Sequence, residues 1–259
     1  MVDFFFSIKS YCKYWLLKED HFSQQSPFVF SIYQGLLQFL GENSRGDSEI
    51  ENIRKDFLKD TTKIKVLDLG AGSKKVPESL REIRKITQYS TSSAKFAQIY
   101  QYFCSLTPAE NIIELGTCMG ISTRYLAKVT KGSLYSFEGA VEILDAAKKY
   151  PIPSFVNFIH GPILETLPRL LSQIPKIDFA LIDATHTQEA TLEYFELLIQ
   201  KSHDNTILAV ADIHWSPGME RAWNKIQTHP RVCLTFDFFE CGIVFLQSPG
   251  EKNHLILSV

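Results

Sequence analysis

The sequence has few of the features that mark secreted or membrane-spanning proteins. Its 259 residues include only five cysteines, which lie far apart and form no C-x-x-C pair. An odd number of scattered thiols argues against a disulfide framework or a zinc knuckle and fits a reducing compartment. The chain starts with an acid before a short apolar run, and no stretch reaches the roughly 18 apolar residues of a membrane span. We therefore expect a cytoplasmic protein without a membrane partner.

A strong excess of charge is also absent. The formal net charge is −2 and the isoelectric point is near 6.4, so there is no electrostatic reason to expect binding to nucleic acid or to an anionic membrane. A hydrophobic content of 45% with 22% charged residues is typical of a folded chain with one substantial core. The expected partner is a small molecule.

From about residue 92 onward, short apolar runs alternate with helical stretches. The length and β-branched content of these runs predict buried strands at 111–115, 133–137, 155–160, 178–182, 206–211, 231–237 and 241–247. Helices are predicted between the first six runs, at 120–129, 141–149, 163–173, 187–202 and 216–228. This alternation predicts an α/β fold with a doubly wound, mainly parallel, seven-stranded sheet. The last two runs are separated only by a turn near Glu240, which predicts a C-terminal antiparallel hairpin at the sheet edge.

Residues 1–91 are predicted to form an N-terminal helical cap and a loop region, and residues 92–259 the main domain. Residues 1–42 are rich in aromatic residues with helix-like spacing in two pieces, broken near Ser23–Pro27. Residues 43–62 are polar and charged, as expected of a loop or a solvated helix. The aromatic cap either forms a wall of a ligand pocket or packs against the outside of the sheet.

A glycine-containing segment follows the first predicted strand of the main domain. In a doubly wound sheet the ligand binds beyond the carboxyl ends of the strands, and the first strand-to-helix turn needs glycines for close approach. Gly116 and Gly120 meet this need, while Glu114 at the strand end is an acceptor for a cationic amino group. The residues expected at the ligand from this segment are Glu114, Gly116, Thr117, Cys118, Gly120 and Ser122.

An acid stands at the end of the second predicted strand. Glu138, followed by Gly139, is placed where a bidentate acceptor would hold both ribose hydroxyls of an adenosine. A glycine loop alone is a weak signal, but a loop followed by such an acid within this alternation is a strong one. The alternative, an NAD-binding domain, would have a glycine at Cys118 and the spacing Gly-x-Gly-x-x-Gly, whereas this sequence has Gly-x-x-x-Gly.

These segments resemble the class I S-adenosylmethionine-dependent methyltransferases, particularly small-molecule O-methyltransferases of the catechol type and their sugar and macrolide relatives. The matching residues are the loop at 114–122, Glu138, the segment Ile182-Asp183-Ala-Thr-His186, and Asp212. The resemblance covers residues 92–247 and implies a Rossmann-like domain that binds S-adenosylmethionine. It implies that Glu114 and Gly116 lie near the methionine moiety, that Glu138 binds the ribose, and that Gly161 and Ile163 line the adenine pocket. Gly139 and Asp183 are further residues expected at the cofactor.

The resemblance also implies where the chemistry takes place. In catechol-type relatives the general base stands three positions after the acid that follows the fourth strand. Here that acid is Asp183, after the predicted strand 178–182, and His186 occupies the position of the base. An imidazole is suited to proton abstraction near neutral pH. The residues expected to share the cofactor rim and to form the catalytic set are Asp183, His186, Asp212 and His214. Trp215, which follows them, is a candidate for contact with the methyl acceptor.

Those relatives bind magnesium, which prefers oxygen ligands. Asp183 matches the first ligand position and Asp212 one of an adjacent pair. Ala211 stands where the other acid of the pair is expected, so the sequence leaves metal dependence open, with a softer divalent ion or no metal as alternatives.

Several alternatives remain open. The leading function is O-methylation of a small hydroxylated molecule, and the alternatives are an S-adenosylmethionine-binding protein without catalysis and an N-methyltransferase. A second glycine segment, Lys65-Val-Leu-Asp-Leu-Gly-Ala-Gly72-Ser, also resembles a cofactor loop, but no strand ending in an acid follows it. It is either a loop over the active site, with Lys74 or Lys75 at the substrate, or a surface turn. Because N-terminal helices form dimer interfaces in many relatives, a homodimer is a further expectation.

Overall fold

The computed structural model describes residues 2–66 and 80–259, and side chains from residue 5 onward. Most of the second glycine segment, with Lys74 and Lys75, lies outside the described residues. Within the described part of the chain, no helix is both long and apolar enough to cross a bilayer.

The N-terminal region is helical, as predicted. Its elements are α1 (Val2–Leu17), a short 3-10 helix (His21–Ser23), α2 (Pro27–Glu42), α3 (Ser48–Lys59), an antiparallel pair of strands β1 (Lys63–Lys65) and β2 (Leu80–Glu82), and α4 (Ile83–Ser90). The Ser26 hydroxyl accepts the Val29 amide and so caps α2 at the predicted break. Asp47 caps α3 in the same way, so the polar stretch at 43–62 contains a solvated helix.

The main domain follows the predicted alternation. Its elements are α5 (Ala94–Ser105), β3 (Asn111–Leu115), α6 (Ile121–Ala127), β4 (Ser133–Glu138), α7 (Val141–Ala147), β5 (Val156–His160), α8 (Ile163–Gln173), β6 (Ile177–Ile182), α9 (Gln188–Gln200), β7 (Ser202–Ala211), α10 (Pro217–Thr228), β8 (Leu234–Asp237), β9 (Cys241–Phe245) and β10 (Asn253–Ile256). The predicted α/β, Rossmann-like architecture is confirmed.

The strands of this domain form one sheet in the order β10-β8-β9-β7-β6-β3-β4-β5. Strand β3 pairs in parallel with both β4 and β6, so the strand order reverses there. A crevice is expected at the carboxyl ends of the strands at this reversal. The fold therefore places the ends of β3, β4 and β6 around one opening.

The predicted number of seven strands is wrong, because the described residues alone contribute eight strands to the sheet. Strands β8 and β9 form the predicted antiparallel hairpin, but β10 pairs in parallel with β8 and takes the edge position. Only Leu255 is buried in this strand. A four-residue strand with one buried side chain lacks the apolar alternation by which a strand is recognised in a sequence.

The cap shares a core with the main domain. Val29, Tyr33 and Leu36 of α2 belong to the same buried cluster as side chains of α5 and of the sheet. The Tyr33 hydroxyl donates to the Ser258 carbonyl at 2.5 Å, and Tyr14 of α1 donates to the Leu257 carbonyl at 2.8 Å. The cap is thus held against α5 and the C-terminal residues.

Candidate active site

A cavity of about 750 Å³ opens where the strand order reverses. Its volume is in the range of small-molecule sites. One side, which we call the glycine-rich half, is lined by Gly116, Cys118, Glu138, Gly139, Gly161 and Ile163. The other side, the acidic half, is lined by Asp183, His186, Asp212, Trp215 and Glu240, with Phe96 and Tyr100. The described lining includes no residue of α1 or α2, which favours the interpretation of the aromatic cap as packing outside the sheet, but Val66, Arg81, Ile86 and Tyr89 of the N-terminal region do line the cavity.

Gly116 lets the loop after β3 approach the end of β6. Its φ is +107°, and a Cβ at this position would lie 2.1 Å from the Asp183 carbonyl oxygen. The amides of Gly116 and Thr117 donate to the Phe137 carbonyl at 3.0 and 2.9 Å. A side chain at residue 116 would therefore push the loop after β3 away from the end of β6.

The Glu138 carboxylate is fixed at the wall of the glycine-rich half. One oxygen accepts the Cys118 amide and the other accepts the Ala140 amide, each at 3.0 Å. Burial raises the pKa of Glu138, while these backbone hydrogen bonds act in the opposite direction. A carboxylate has about four lone-pair sites, so Glu138 keeps acceptor capacity for a bound diol.

Glu114 lies behind the loop and does not line the cavity. It is fully buried, and one of its oxygens accepts hydrogen bonds from the hydroxyls of Thr123 and Ser136, both at 2.5 Å. Burial raises the pKa of Glu114 to about 7, against the effect of the neighbouring hydroxyls. Its contact with a cationic amino group stays a prediction, and the structure shows a carboxyl group that braces the loop.

Three other loop residues are also set back from the cavity. The Thr117 hydroxyl is buried 2.6 Å from that of Ser136. Gly120, with a φ of +67°, precedes α6, and a Cβ there would lie 2.8 Å from the Arg124 guanidinium. Ser122 is buried within α6. Of the predicted loop residues, Gly116 and Cys118 line the cavity.

In the acidic half, the His186 imidazole lies between two carboxylates. Its Nε2 is 3.8 Å from Asp183 Oδ1, and its Nδ1 is 3.6 Å from Asp212 Oδ2. The Ser92 hydroxyl donates to Asp183 at 3.2 Å. Burial raises the pKa of Asp183 to about 6; His186 lowers it and Asp212 raises it further. We call Asp183, His186 and Asp212 the carboxylate-histidine cluster.

The backbone of this cluster is strained. The φ angles of Thr185, His186 and Asp212 are +66°, +48° and +56°, a region that is uncommon for residues other than glycine. The Asp212 amide donates to the Glu240 carbonyl at 2.6 Å, and the His186 amide to the Ala184 carbonyl at 2.7 Å. Backbone strain of this kind concentrates at functional sites, where the surrounding structure maintains it.

The cluster also has the geometry of a cation site. One ligand atom from each of its three residues lies within 4.8 Å of the other two. Ala211, where a further acid was expected, is buried and offers a methyl group. A set of two carboxylates and one imidazole suits a borderline divalent ion better than magnesium, which prefers oxygen alone.

His214 does not share the rim where it was predicted. Its Nε2 lies 2.8 Å from Asp237 Oδ2, and its ring stacks on Phe239 with centroids 5.3 Å apart. It lines a second cavity of about 180 Å³ together with Tyr14. At Asp212 the backbone has a positive φ of +56°. Ile213 is then buried in the core, and His214 faces the second cavity instead of the first.

Some lining residues were not identified from the sequence. Ser92 precedes α5, Phe96 and Tyr100 lie on it, and Glu240 lies between β8 and β9. The hydroxyl-rich run at 90–93 directly before a helix is a signal that could have indicated a polar wall. Phe96 and Tyr100 have the same spacing as core residues of α5, so the sequence alone does not separate them from ordinary packing. Trp215 lines the cavity as expected, with its ring centroid 5.9 Å from that of His186.

The sequence matches a family model described as a methyltransferase domain over residues 113–213. This range contains the loop after β3, Glu138 and the carboxylate-histidine cluster. No curated protein matches the chain with significant sequence similarity.

Solved methyltransferase structures share the fold. The O-methyltransferase TomG from Streptomyces achromogenes, in complex with S-adenosylmethionine, has a TM-score of 0.53 and 18% identity over 62% of this chain and 83% of that one. An O-methyltransferase from Bacillus cereus, in complex with S-adenosylhomocysteine, has a TM-score of 0.56 and 17% identity over 81% of this chain and 99% of that one. The Podospora anserina methyltransferase PaMTH1 has a TM-score of 0.52 and 16% identity over 61% and 81% of the two chains.

The range that matches the family model contains the glycine loop after β3 and the acids at the ends of β4 and β6. These are the strands around the reversal of the sheet order. Residues 113–213 therefore match a methyltransferase domain, in a chain that shares its fold with solved O-methyltransferases.

Proposed function

We propose that this enzyme transfers the methyl group of S-adenosylmethionine to a hydroxyl group of a small molecule. The observation that carries the proposal is the carboxylate-histidine cluster, which shares one cavity with Glu138. Relatives of similar fold, TomG and the enzyme from Bacillus cereus, are O-methyltransferases. A cavity of about 750 Å³ is large enough for the cofactor and a compact acceptor together.

In this proposal the cofactor occupies the glycine-rich half. Glu138, already oriented by two backbone amides, accepts the ribose hydroxyls. Gly161 and Ile163 border the adenine, and Gly116 allows the methionine end to approach the end of β6, where Asp183 lies. The methyl group is then directed toward the acidic half.

In the acidic half, His186 removes the proton of the acceptor. Methyl transfer from a sulfonium is an in-line displacement, in which the acceptor oxygen bonds to the methyl carbon as the carbon–sulfur bond breaks. The hydroxyl proton passes to an imidazole nitrogen of His186, and S-adenosylhomocysteine leaves as a neutral thioether. Asp183 and Asp212, at 3.8 and 3.6 Å from the imidazole, stabilise the positive charge that His186 acquires.

A divalent cation is a second candidate for the same cluster, favoured by the close approach of its three ligand atoms. Asp183, Asp212 and His186 would hold it, and such an ion would lower the pKa of a bound hydroxyl. His186 would then act as a ligand and would not be the base. The imidazole makes manganese, iron or zinc a better match than magnesium.

Matched acceptor pairs test the proposal. The enzyme is incubated with S-adenosylmethionine and compounds that differ only in a hydroxyl or an amino group, drawn from phenols, catechols and sugars. Formation of S-adenosylhomocysteine and of the methylated product is followed by mass spectrometry, with a chelator or with added magnesium, manganese or zinc. We expect methylation of the hydroxyl member only. Methylation of the amino members alone, or no turnover across the series, would contradict the proposal.

A further inference from the structure

Helix α1 buries little of its apolar surface. Of its side chains from residue 5 to residue 17, only Ser10 and Tyr14 are buried. Six large apolar side chains of the helix remain exposed: Phe5 (69%), Ile8 (46%), Tyr11 (52%), Trp15 (59%), Leu16 (72%) and Leu17 (52%). Exposed apolar side chains scattered singly are normal, but a contiguous group of them usually marks an interaction surface.

Four of them, Ile8, Tyr11, Trp15 and Leu16, share one side of the helix. Their spacing of i, i+3, i+7 and i+8 is that of a single helical stripe. Ser10 and Tyr14, four residues apart, mark the opposite side, which packs on the protein. We call the stripe of Ile8, Tyr11, Trp15 and Leu16 the α1 apolar face.

Positive charge lies along one edge of this face. Lys9 and Lys13 are exposed on one edge of the helix, and Lys18 is exposed just beyond its end. Among the described residues, no carboxylate forms an ion pair with any of the three lysines. The long lysine stems can extend along an apolar surface while their ammonium groups stay in water.

We propose that the α1 apolar face docks onto a lipid surface that contains anionic phospholipids. A helix with Trp, Leu and Ile on one side and lysines at the edges is typical of helices that lie in the plane of the membrane interface. Tyr and Trp suit that position because their rings are apolar and their tips are polar. The lysines meet phosphate groups at the same depth.

The charge pattern favours lipid over a second copy of the chain. A two-fold interface brings the same surface of both copies together, so the lysine edge of one copy would meet a face that carries the same lysines. The net charge of −2 predicted no membrane partner, but that value averages over the whole chain. Within α1 itself, Lys9 and Lys13 outnumber the one acid, Asp3. Two acids follow Lys18 directly: Glu19, which accepts a hydrogen bond from Gln24, and Asp20, which accepts one from the Ser23 amide.

Vesicle flotation with the full chain tests this proposal. The protein is mixed with vesicles of phosphatidylcholine alone or with phosphatidylglycerol added, at low and high salt. We expect flotation with the anionic vesicles and a decrease at high salt. The double variant Trp15→Ser, Leu16→Ser should lose at least about tenfold in partitioning, while Leu106→Ser, which changes a leucine that is 44% exposed on α5's C-terminal side, should float like the unmodified protein.

A second pair of variants isolates the charge. Lys9→Gln with Lys13→Gln should reduce binding to anionic vesicles by roughly 25-fold, since each lysine near such a surface accounts for about a fivefold change. Lys176→Gln with Lys225→Gln removes the same charge from exposed positions elsewhere and should have little effect. Thermal melting followed by circular dichroism confirms that each variant is folded.

Three outcomes would overturn the proposal. They are the absence of flotation with any vesicle, equal flotation of the Trp15→Ser, Leu16→Ser variant, and equal binding to neutral and anionic vesicles. Light scattering without lipid measures the oligomeric state and so tests the alternative that a second copy of the chain binds this face. A dimer that dissociates in the same double variant, without vesicle binding, would assign the face to a second copy of the chain.

Discussion

At the scale of single residues, Glu114 is the most constrained ionisable group of the loop. It is fully buried with hydroxyl donors around one oxygen, and burial raises its pKa to about 7 from the usual 4.5. Between these two pH values the folded chain keeps a proton that the unfolded chain has lost. The free energy of unfolding therefore falls as the pH rises through this window.

The substitution Glu114→Gln tests this directly. The ionisation of Glu114 should account for about 3 kcal/mol of the loss in unfolding free energy between pH 4.5 and 7, at about 1.4 kcal/mol for each pH unit. Glutamine has no proton to release, so the variant should lose less stability over this range than the unmodified protein. Urea unfolding of both proteins at several pH values gives the difference, in which the similar contribution of Asp183 cancels. Parallel pH profiles would show that Glu114 has an ordinary pKa.

His186 is the proposed general base, and its role is tested at the same scale. Replacing it with alanine should lower kcat by about 10² to 10⁴, the usual contribution of a general base. The affinity for S-adenosylhomocysteine should be nearly unchanged, because Glu138 and the glycine-rich half are intact. Single-turnover kinetics and equilibrium binding separate the two effects. A full-rate His186→Ala enzyme would remove His186 from the mechanism.

At the scale of elements, the close approach of the loop after β3 to the end of β6 sets the shape of the cavity. Gly116→Ala places a Cβ 2.1 Å from the Asp183 carbonyl oxygen at a positive φ. We expect a loss of about 2 to 4 kcal/mol in unfolding free energy from backbone strain and steric overlap. Cofactor binding should weaken as well, because the displaced loop carries Cys118, whose amide orients Glu138.

Gly41→Ala is the matched control. Gly41 lies in α2, and a Cβ there would meet no atom within 4 Å. Alanine should leave stability unchanged or raise it by up to about 1 kcal/mol, through its higher helix propensity. Denaturant unfolding gives the free energy of unfolding of Gly116→Ala and of Gly41→Ala, and so compares the same substitution at the two positions. Equal stabilities would contradict the role assigned to Gly116.

At the scale of the whole molecule, the sequence predicts the elements of the main domain well. Alternating buried runs and helical stretches locate β3 to β9 and α6 to α10, because parallel strands covered on both faces are continuously apolar. Strand β10 was missed because Leu255 is its one buried side chain. The positions of several side chains in the cavity depend on backbone conformation and on contacts between distant elements, which hydrophobic periodicity does not reveal.

Two residues illustrate this limit. The position of His214 depends on the left-handed backbone of Asp212, which its sequence neighbours do not reveal. Tyr100 lines the cavity from α5 although its spacing is that of a core residue. By contrast, Glu138, Asp183 and His186 were identified because each stands at or just after the end of a predicted strand, where a doubly wound sheet binds its ligand.

The central claim is that this cavity binds S-adenosylmethionine through Glu138. Calorimetric titration tests it most directly. S-adenosylhomocysteine and NAD are each titrated into the unmodified protein, into Glu138→Ala and into Asp145→Ala, a control at an exposed position on α7. We predict micromolar binding of S-adenosylhomocysteine alone, weakened by about 1 to 3 kcal/mol in Glu138→Ala and unchanged in Asp145→Ala. Binding of NAD in its place, or equal affinity of the Glu138→Ala protein, would contradict the claim.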